Sequence, residues 1–437
     1  MNKIDSTIWL PVKRTIQFVI GSIFDIFALP VFIVVCALQR FRKKRVPPAI
    51  FIGLMHSNNL VYVADAMRER GYRVSYIPWI IPKHEKGIIK YDMDIEQKWP
   101  RLYRNWFGSR FLLYCFDLWA IHNFDVFLMP YLNRLLDRTT FLKWFEFYFL
   151  KLANKKVILN PYGRDVATPR LKWENNNKGF VTLFDGWIKD PSRNKTNEQY
   201  VAKNRLFCEK NADSIVAAID ALDYVKRVDH IFQLRCIDLK AFKPNYIQED
   251  REVLKLIHAP NHRLLKGTEE LIQAVNSINR EKKRIELNIV ENTSHQRLLE
   301  QISLCDIVAD QFLIGAYARL AIEAMALGKP VLCYLRQDLI ELHAHWQESP
   351  MINTSVASIE DKLNFFINLS LEQRIEIGKN SRRFVEKFHS YDYIASKFED
   401  IIEGLQVDHQ KRISKLKPTF VLKEAQKMES MQTKLKN

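Results

Sequence analysis

The apolar positions of this chain change period from segment to segment, and the changes mark out its elements. "AIFIGLM" (residues 49–55) is a continuous apolar run suited to a buried strand. "NNLVYVADAMRERGY" then sets Leu60, Val63, Ala64 and Met67 at helical spacing and stops at Gly71, and "RVSYIPWI" returns to strand character. Together they predict a β-α-β unit. Further strands are predicted at "DVFLMPY" from Asp125, "KVILNPY" from Lys156 and "DSIVAAI" from Asp213, while "WFEFYFLKLA" (144–153) reads as an amphipathic helix suited to lying against lipid. The alternation restarts at residue 254. "LKLIHAP", "RIELNIV", "DIVADQF" and "KPVLCYL" read as strands, and "TEELIQAVNSINRE", "HQRLLEQISLC" and "YARLAIEAMAL" as the helices between them.

Strands alternating with helices imply parallel sheets covered on both faces. Two such series, meeting near "IDLKAFKP" (237–244), predict two Rossmann-like domains facing a central cleft, residues 46–238 and 239–385. Residues 386–437 are expected to supply a helix returning to the first domain and a lysine-rich tail.

Ahead of this pattern, "FVIGSIFDIFALPVFIVVCAL" (18–38) is nearly continuous apolar sequence, about long enough to cross a bilayer core, and "RFRKKR" (40–45) comes directly after it. No small-residue cleavage site precedes the basic cluster, which argues against a signal peptide. Three readings stay open. One is a single spanning helix. Another is a helix broken at Pro30 that dips into one leaflet and returns, with a costly charge at Asp25. The third is a buried core helix. Either membrane reading attaches the chain through residues 15–45 and keeps the rest on the cytoplasmic face.

Composition narrows the partners. The 437 residues carry 66 Lys and Arg against 50 acids, a formal charge of +16 that favours anionic partners. The basic residues flank the apolar segment or fill the tail and form no reader motif, so no nucleic-acid partner is expected. Six scattered cysteines without a C-x-x-C pair read as reduced core thiols. The first domain has no G-x-G-x-x-G, which argues against a nicotinamide dehydrogenase.

In open α/β sheets, ligands bind beyond the carboxyl ends of the strands. The loop after "DIVADQF" is such a place: Gly315 permits a close approach, helix-start amides hold an anion, and Glu323 lies further along as an acceptor for paired hydroxyls. The competing reading is a plain helix ion pair between Arg319 and Glu323. At the junction "HAPNHRLLKGTEELIQA", His258, Arg263 and Lys266 surround a helix start, a cationic setting for a diphosphate, or else ordinary surface charges. His56, after the first strand, and Asp165 are acceptor-side candidates, equally suited to structural hydrogen bonds. His343 and His345 have no third ligand at a familiar spacing, so no metal site is expected.

The pairing of "HRLLKGTEELIQA" with "DIVADQFLIGAYARLAIEAMALGKPVLCYL" resembles the carboxyl-terminal domain of GT-B glycosyltransferases, in particular the family 4-like group of retaining, metal-independent enzymes that use sugar nucleotides. "NPYGRDV" (160–166) resembles that family's glycine-x-aspartate turn. The resemblance implies that Arg263 and Lys266 hold the donor diphosphate as catalytic cations. It also implies that Gly315, Ala316, Tyr317 and Glu323 line the donor site, with Glu323 on the ribose. His56, Gly163 and Asp165 would then face the acceptor, Asp165 with a catalytic part. Gly315 stands where the family's first motif glutamate is usual, and Tyr162 where many relatives have histidine. A member of this group would take a UDP- or GDP-type sugar nucleotide as substrate and need no cofactor or metal. Its acceptor would be a lipid-linked or membrane-proximal glycan in surface polysaccharide assembly. Lys266→Ala and Arg263→Ala are expected to lower turnover far more than stability. Rival activities are nucleotide-sugar epimerisation, glycerophosphate transfer, and a non-catalytic membrane scaffold.

Overall fold

The computed structural model describes residues 6–43, 45–81, 91–161, 165, 191–218, 221–222, 224–232, 234–342 and 344–406. The chain divides into two compact units. The first holds the described residues of 1–168, 191–232 and 399–412, and the second those of 233–398.

Unit 1 is a six-stranded, fully parallel sheet in the order β2-β1-β3-β4-β5-β6. Its elements run α1 (Ser6–Gln39), β1 (Ile50–Leu54), α2 (Asn58–Glu69), β2 (Val74–Pro78), α3 (Trp106–Asn123), β3 (Val126–Met129), α4 (Glu146–Leu152), β4 (Lys156–Leu159), α5 (Pro191–Asn211), β5 (Ser214–Ala217) and β6 (His230–Ile231), with two short helices, Ile95–Lys98 and Pro100–Arg104, before α3. Every residue of β1 is buried, as an apolar run with partners on both sides requires. Ile50 pairs with Val74 on one side and Val126 on the other. Asn105 starts α3, its side chain accepting from the Phe107 and Gly108 amides at 2.9 and 3.1 Å.

The amino-terminal segment is one unbroken helix that runs through Pro30, so the path broken at that proline is not taken. Between residues 15 and 39 its buried positions are Gly21, Asp25, Phe32 and Cys36, a single stripe at spacings of four and seven. The helix is therefore not a core helix buried all round.

Unit 2 is a five-stranded parallel sheet in the order β11-β10-β9-β7-β8. It runs β7 (Leu254–His258), α6 (Thr268–Ile278), β8 (Ile285–Ile289), α7 (His295–Leu304), β9 (Ile307–Ala309), α8 (Arg319–Ala326), β10 (Val331–Cys333), β11 (Ile352–Asn353), α9 (Ile359–Ile367) and α10 (Leu371–Phe388). Leu256, Leu271, Val275, Ile307, Leu332 and Phe366 pack one core between the sheet and its helices. A last helix, α11 (Tyr391–Gln406), begins in unit 2, and its residues from Glu399 onward cluster with unit 1, where Glu399 pairs with Arg70 at 3.4 Å.

Three details depart from the sequence pattern. β6 and β11 are two-residue strands, too short to show any period. The helix expected from Tyr317 starts at Arg319, because the Tyr317 side chain turns into the core against Trp346. All six cysteines are free, but Cys115 is exposed rather than in the core.

Candidate active site

In unit 2 the chain enters the sheet at β7, steps out to β8, then returns past β7 to β9. This reversal lies between β7 and β9, and a crevice beyond their carboxyl ends is the expected ligand site. His258 ends β7 and is buried, with Nδ1 2.9 Å from the Ala309 carbonyl oxygen and Nε2 2.8 Å from Thr268 Oγ1. A carbonyl only accepts, so Nδ1 carries the proton and Nε2 accepts from the threonine. Burial lowers the pKa of this imidazole and favours the neutral form. His258 is thus a brace that pins the first residue of α6 to the strand ends.

Asp310, immediately after β9, gathers two parts of the site. Its Oδ1 accepts from Lys266 Nζ at 2.6 Å, and its Oδ2 accepts at 3.2 Å from the amide of Ala318, the residue just before α8. Lys266 is itself buried, 7% exposed, at the end of a single helical turn closed by Gly267. Gln311 shapes the loop beyond it. Its Oε1 accepts from the Leu313 and Ile314 amides at 3.1 and 2.6 Å, and its Nε2 donates to the Ala316 and Tyr334 carbonyls at 3.1 and 2.8 Å. Gly315 sits at φ +81°, the left-handed region, and a Cβ there would lie 2.4 Å from Arg336 Cγ. As a result the consecutive amides of Gly315, Ala316 and Tyr317 take no acceptor among the described residues, while the amides on both sides of them do. Successive free amides at a helix entrance form a concavity suited to an anion.

Glu323, one turn into α8, is 3% exposed. Its Oε1 accepts from Arg319 Nε at 2.6 Å and from His295 Nε2 on α7 at 2.9 Å, and its Oε2 carries no hydrogen bond among the described residues. The helix pair with Arg319 is therefore real, and it leaves one oxygen for another partner. Arg263 is the exposed cation of the group. Its fork meets Glu291, just past β8, at 3.0 and 2.7 Å, and Glu269 at 3.3 Å; these acids raise its pKa further. Tyr317 offers only its main-chain amide, since its hydroxyl bonds His389 Nε2 at 3.0 Å and its carbonyl accepts from Arg235 at 2.6 Å.

In unit 1 the corresponding reversal lies between β1 and β3. His56 comes after β1, where the Tyr76 hydroxyl holds the turn by accepting from the Ser57 amide at 2.7 Å. Asp165 is buried and accepts from the Tyr131 amide, just past β3, at 3.1 Å. Desolvation raises its pKa to about 7 against the pull of the Tyr131 and Leu132 amides. Gly163 and Tyr162 lie outside the described residues, as does His343. His345 packs its ring on Phe388, centroids 5.2 Å apart. No group of three His, Cys, Asp or Glu among the described residues is placed to hold a metal ion.

The motif "DQ" contains Asp310 and Gln311, but their work emerges only from the fold. His295 carries no signal in the sequence, being 28 residues from the glutamate it meets.

No protein-family model matches the chain, and no curated protein sequence does. Solved structures do. Sucrose-phosphate synthase from Thermosynechococcus elongatus is similar over 83% of this chain and 99% of its own, with TM-score 0.52 at 14% identity. A glycosyltransferase from Rickettsia africae ESF-5 is similar over 82% and 98%, with TM-score 0.51 at 12% identity. At such identities the likeness speaks to architecture: this chain has the GT-B fold.

Proposed function

We propose that this chain is a GT-B glycosyltransferase that moves a hexosyl or related sugar, with retention, from a UDP- or GDP-type donor to a lipid-linked or membrane-proximal glycan acceptor in surface polysaccharide biosynthesis. The observation that carries the reading is the run of free amides at Gly315, Ala316 and Tyr317, tied through Asp310 to the buried Lys266 at the sheet reversal of unit 2. Donors and a cation fixed in place before reaction are what a departing diphosphate needs, since they stabilise its growing charge without reorganising. Arg263 adds a bidentate grip once phosphate oxygens replace Glu291 on its fork. Charge supplied in this way requires no metal ion. Glu323 Oε2 is the atom left for a ribose hydroxyl, with Arg319 and His295 holding the carboxylate in place through Oε1.

The acceptor half of the proposal rests on unit 1. Attachment to the cytoplasmic face of a membrane through residues 15–45 is supported by a helix, Thr15–Gln39, long and apolar enough to cross a membrane, and by the basic residues just after it. His56 and Asp165, at the reversal of the same unit, are the acceptor-side groups.

Two measurements test this. Purified protein is screened by thermal shift against nucleoside diphosphates and their sugars. A ligand at a hundredfold excess over its Kd adds about 2.7 kcal/mol of stability, and a flat response to the whole panel supports the scaffold instead. Membranes containing the protein are then incubated with radiolabelled sugar nucleotides and label is followed into the lipid extract. Release of free epimerised sugar, or use of a CDP-polyol alone, would replace this reading with the corresponding rival activity.

A further inference from the structure

The long amino-terminal helix is bound along one side to unit 1. Asp25, fully buried at mid-helix, accepts from the Phe141 and Leu142 amides at 2.7 and 3.2 Å, from Arg110 at 3.4 Å, and from the Tyr114 hydroxyl. One turn earlier the backbone at Gly21 approaches so closely that a Cβ would lie 2.4 Å from Thr140 Oγ1. Two turns later Phe32 stacks on Phe149 at 5.2 Å, and at the end Gln39 bonds His122 at 3.1 Å. These contacts extend over about five turns of the helix, roughly 27 Å at 1.5 Å per residue.

The opposite face is apolar and bare. Ile16, Ile23, Ile26, Phe27, Val34 and Leu38 are exposed, Phe27 by 74%. The face continues onto unit 1 itself: Phe107, which contacts Phe24 at 6.0 Å, is exposed, as are Phe111, Phe145 and Tyr148. Exposed charge around this face is mostly basic. Arg40, Arg42 and Lys43 are exposed at its carboxyl end, with Phe41, 86% exposed, among them; Arg101, Lys151 and Arg104, the last paired with Glu96 at 3.5 Å, are exposed on the neighbouring helices. The only acid between residues 15 and 45 is the buried Asp25.

A spanning helix is incompatible with this arrangement. Its middle would carry the half-buried charges of Arg110 and Lys143 to the bilayer centre, where ionised side chains are costly. We propose that α1 lies in the plane of an anionic leaflet, with its Asp25 stripe fastened to unit 1 and its Phe27 face sunk among the acyl chains, so that the whole chain stays on one side of the membrane. The basic rim selects the occupant: an anionic lipid surface rather than a second, equally basic copy of this chain. The proposal rests on the membrane attachment of the proposed function and on none of the sugar-nucleotide chemistry.

The test uses the full chain. Flotation with phosphatidylcholine vesicles, with and without phosphatidylglycerol, is expected to show binding that requires the anionic lipid. Phe27→Glu/Val34→Glu, both on the exposed face, is expected to weaken it at least tenfold while leaving the melting temperature and any nucleotide shift in place. In sealed membranes from expressing cells, cytoplasmic face outward, a tag placed before Met1 is expected to be open to protease on the same side as unit 1. A tag protected on the far side keeps attachment but overturns the in-plane mode. Failure to float, or a dimer that the double variant turns into monomer, removes the lipid surface altogether and leaves the transferase reading untouched.

Discussion

Replacing Lys266 by methionine removes a buried charge while keeping most of the side chain's length. In the native chain its Nζ lies 2.6 Å from Asp310 Oδ1 and both side chains are buried. After the substitution the main donor left to Asp310 is the Ala318 amide at 3.2 Å. Breaking one member of a buried pair costs about 3–5 kcal/mol because the surviving charge is stranded, whereas removing both charges is often close to neutral. For a unit of this size each kcal/mol moves the melting temperature by about 2–4 °C, so Lys266→Met is expected to lower it by about 6–20 °C. The double variant Lys266→Met/Asp310→Asn keeps an acceptor for Ala318 and is expected to regain most of that loss. Nucleoside diphosphate binding should take a different course, weakened in the single variant and not restored in the double. Calorimetry with and without nucleotide reads both quantities at once. A single variant that melts with the native chain would refute the buried pair, and a double variant that recovers its nucleotide shift would refute a role for the lysine on phosphate. Beside the expectation that Lys266 acts on turnover, its burial against Asp310 adds a predicted contribution to stability.

Arg263 is the contrasting case: with its fork on the exposed rim, Arg263→Ala is expected to leave the melting temperature unchanged and to raise the Kd for a nucleoside diphosphate roughly tenfold by titration calorimetry. A lowered melting temperature would contradict the rim placement. Gly315→Ala introduces a Cβ at φ +81° against Arg336, and a loss of about 1–2 kcal/mol in urea unfolding is expected; an unmoved midpoint would contradict the left-handed turn. Asp165 supplies a pH signature. Its carboxyl titrates at about 7 in the folded chain against 3.8 ordinarily, so the folded state binds more protons between those values. This residue's contribution therefore favours folding below about pH 4 and is progressively lost as pH rises to about 7. Asp165→Asn retains an acceptor for the Tyr131 amide and is expected to be less destabilised than the native chain over that rise, and an unchanged slope of melting temperature against pH would contradict it.

Much of this architecture can be read from local periodicity. β1 and β7 are apolar runs because a strand with neighbours on both sides and helices above and below has no polar face to show, and that requirement acts on consecutive residues. The loop carrying Gly315 and the cations of "HRLLK" are legible for a similar reason: a helix entrance needs its special residues within a few positions. β6 and β11 leave no trace, because two residues make no period. Burial partners are a different matter. Asp25 stands out in the sequence as a charge inside an apolar stretch, but the groups that satisfy it come from 85 to 117 residues away. Glu323 stands out equally, yet His295 reaches it only because α7 packs beside α8. The amino-acid order determined which face of each element is apolar and where the chain turns. Tertiary packing alone decided what each face meets, because a hydrogen bond or an ion pair depends on distance in space, and local spacing encodes distance only within one element.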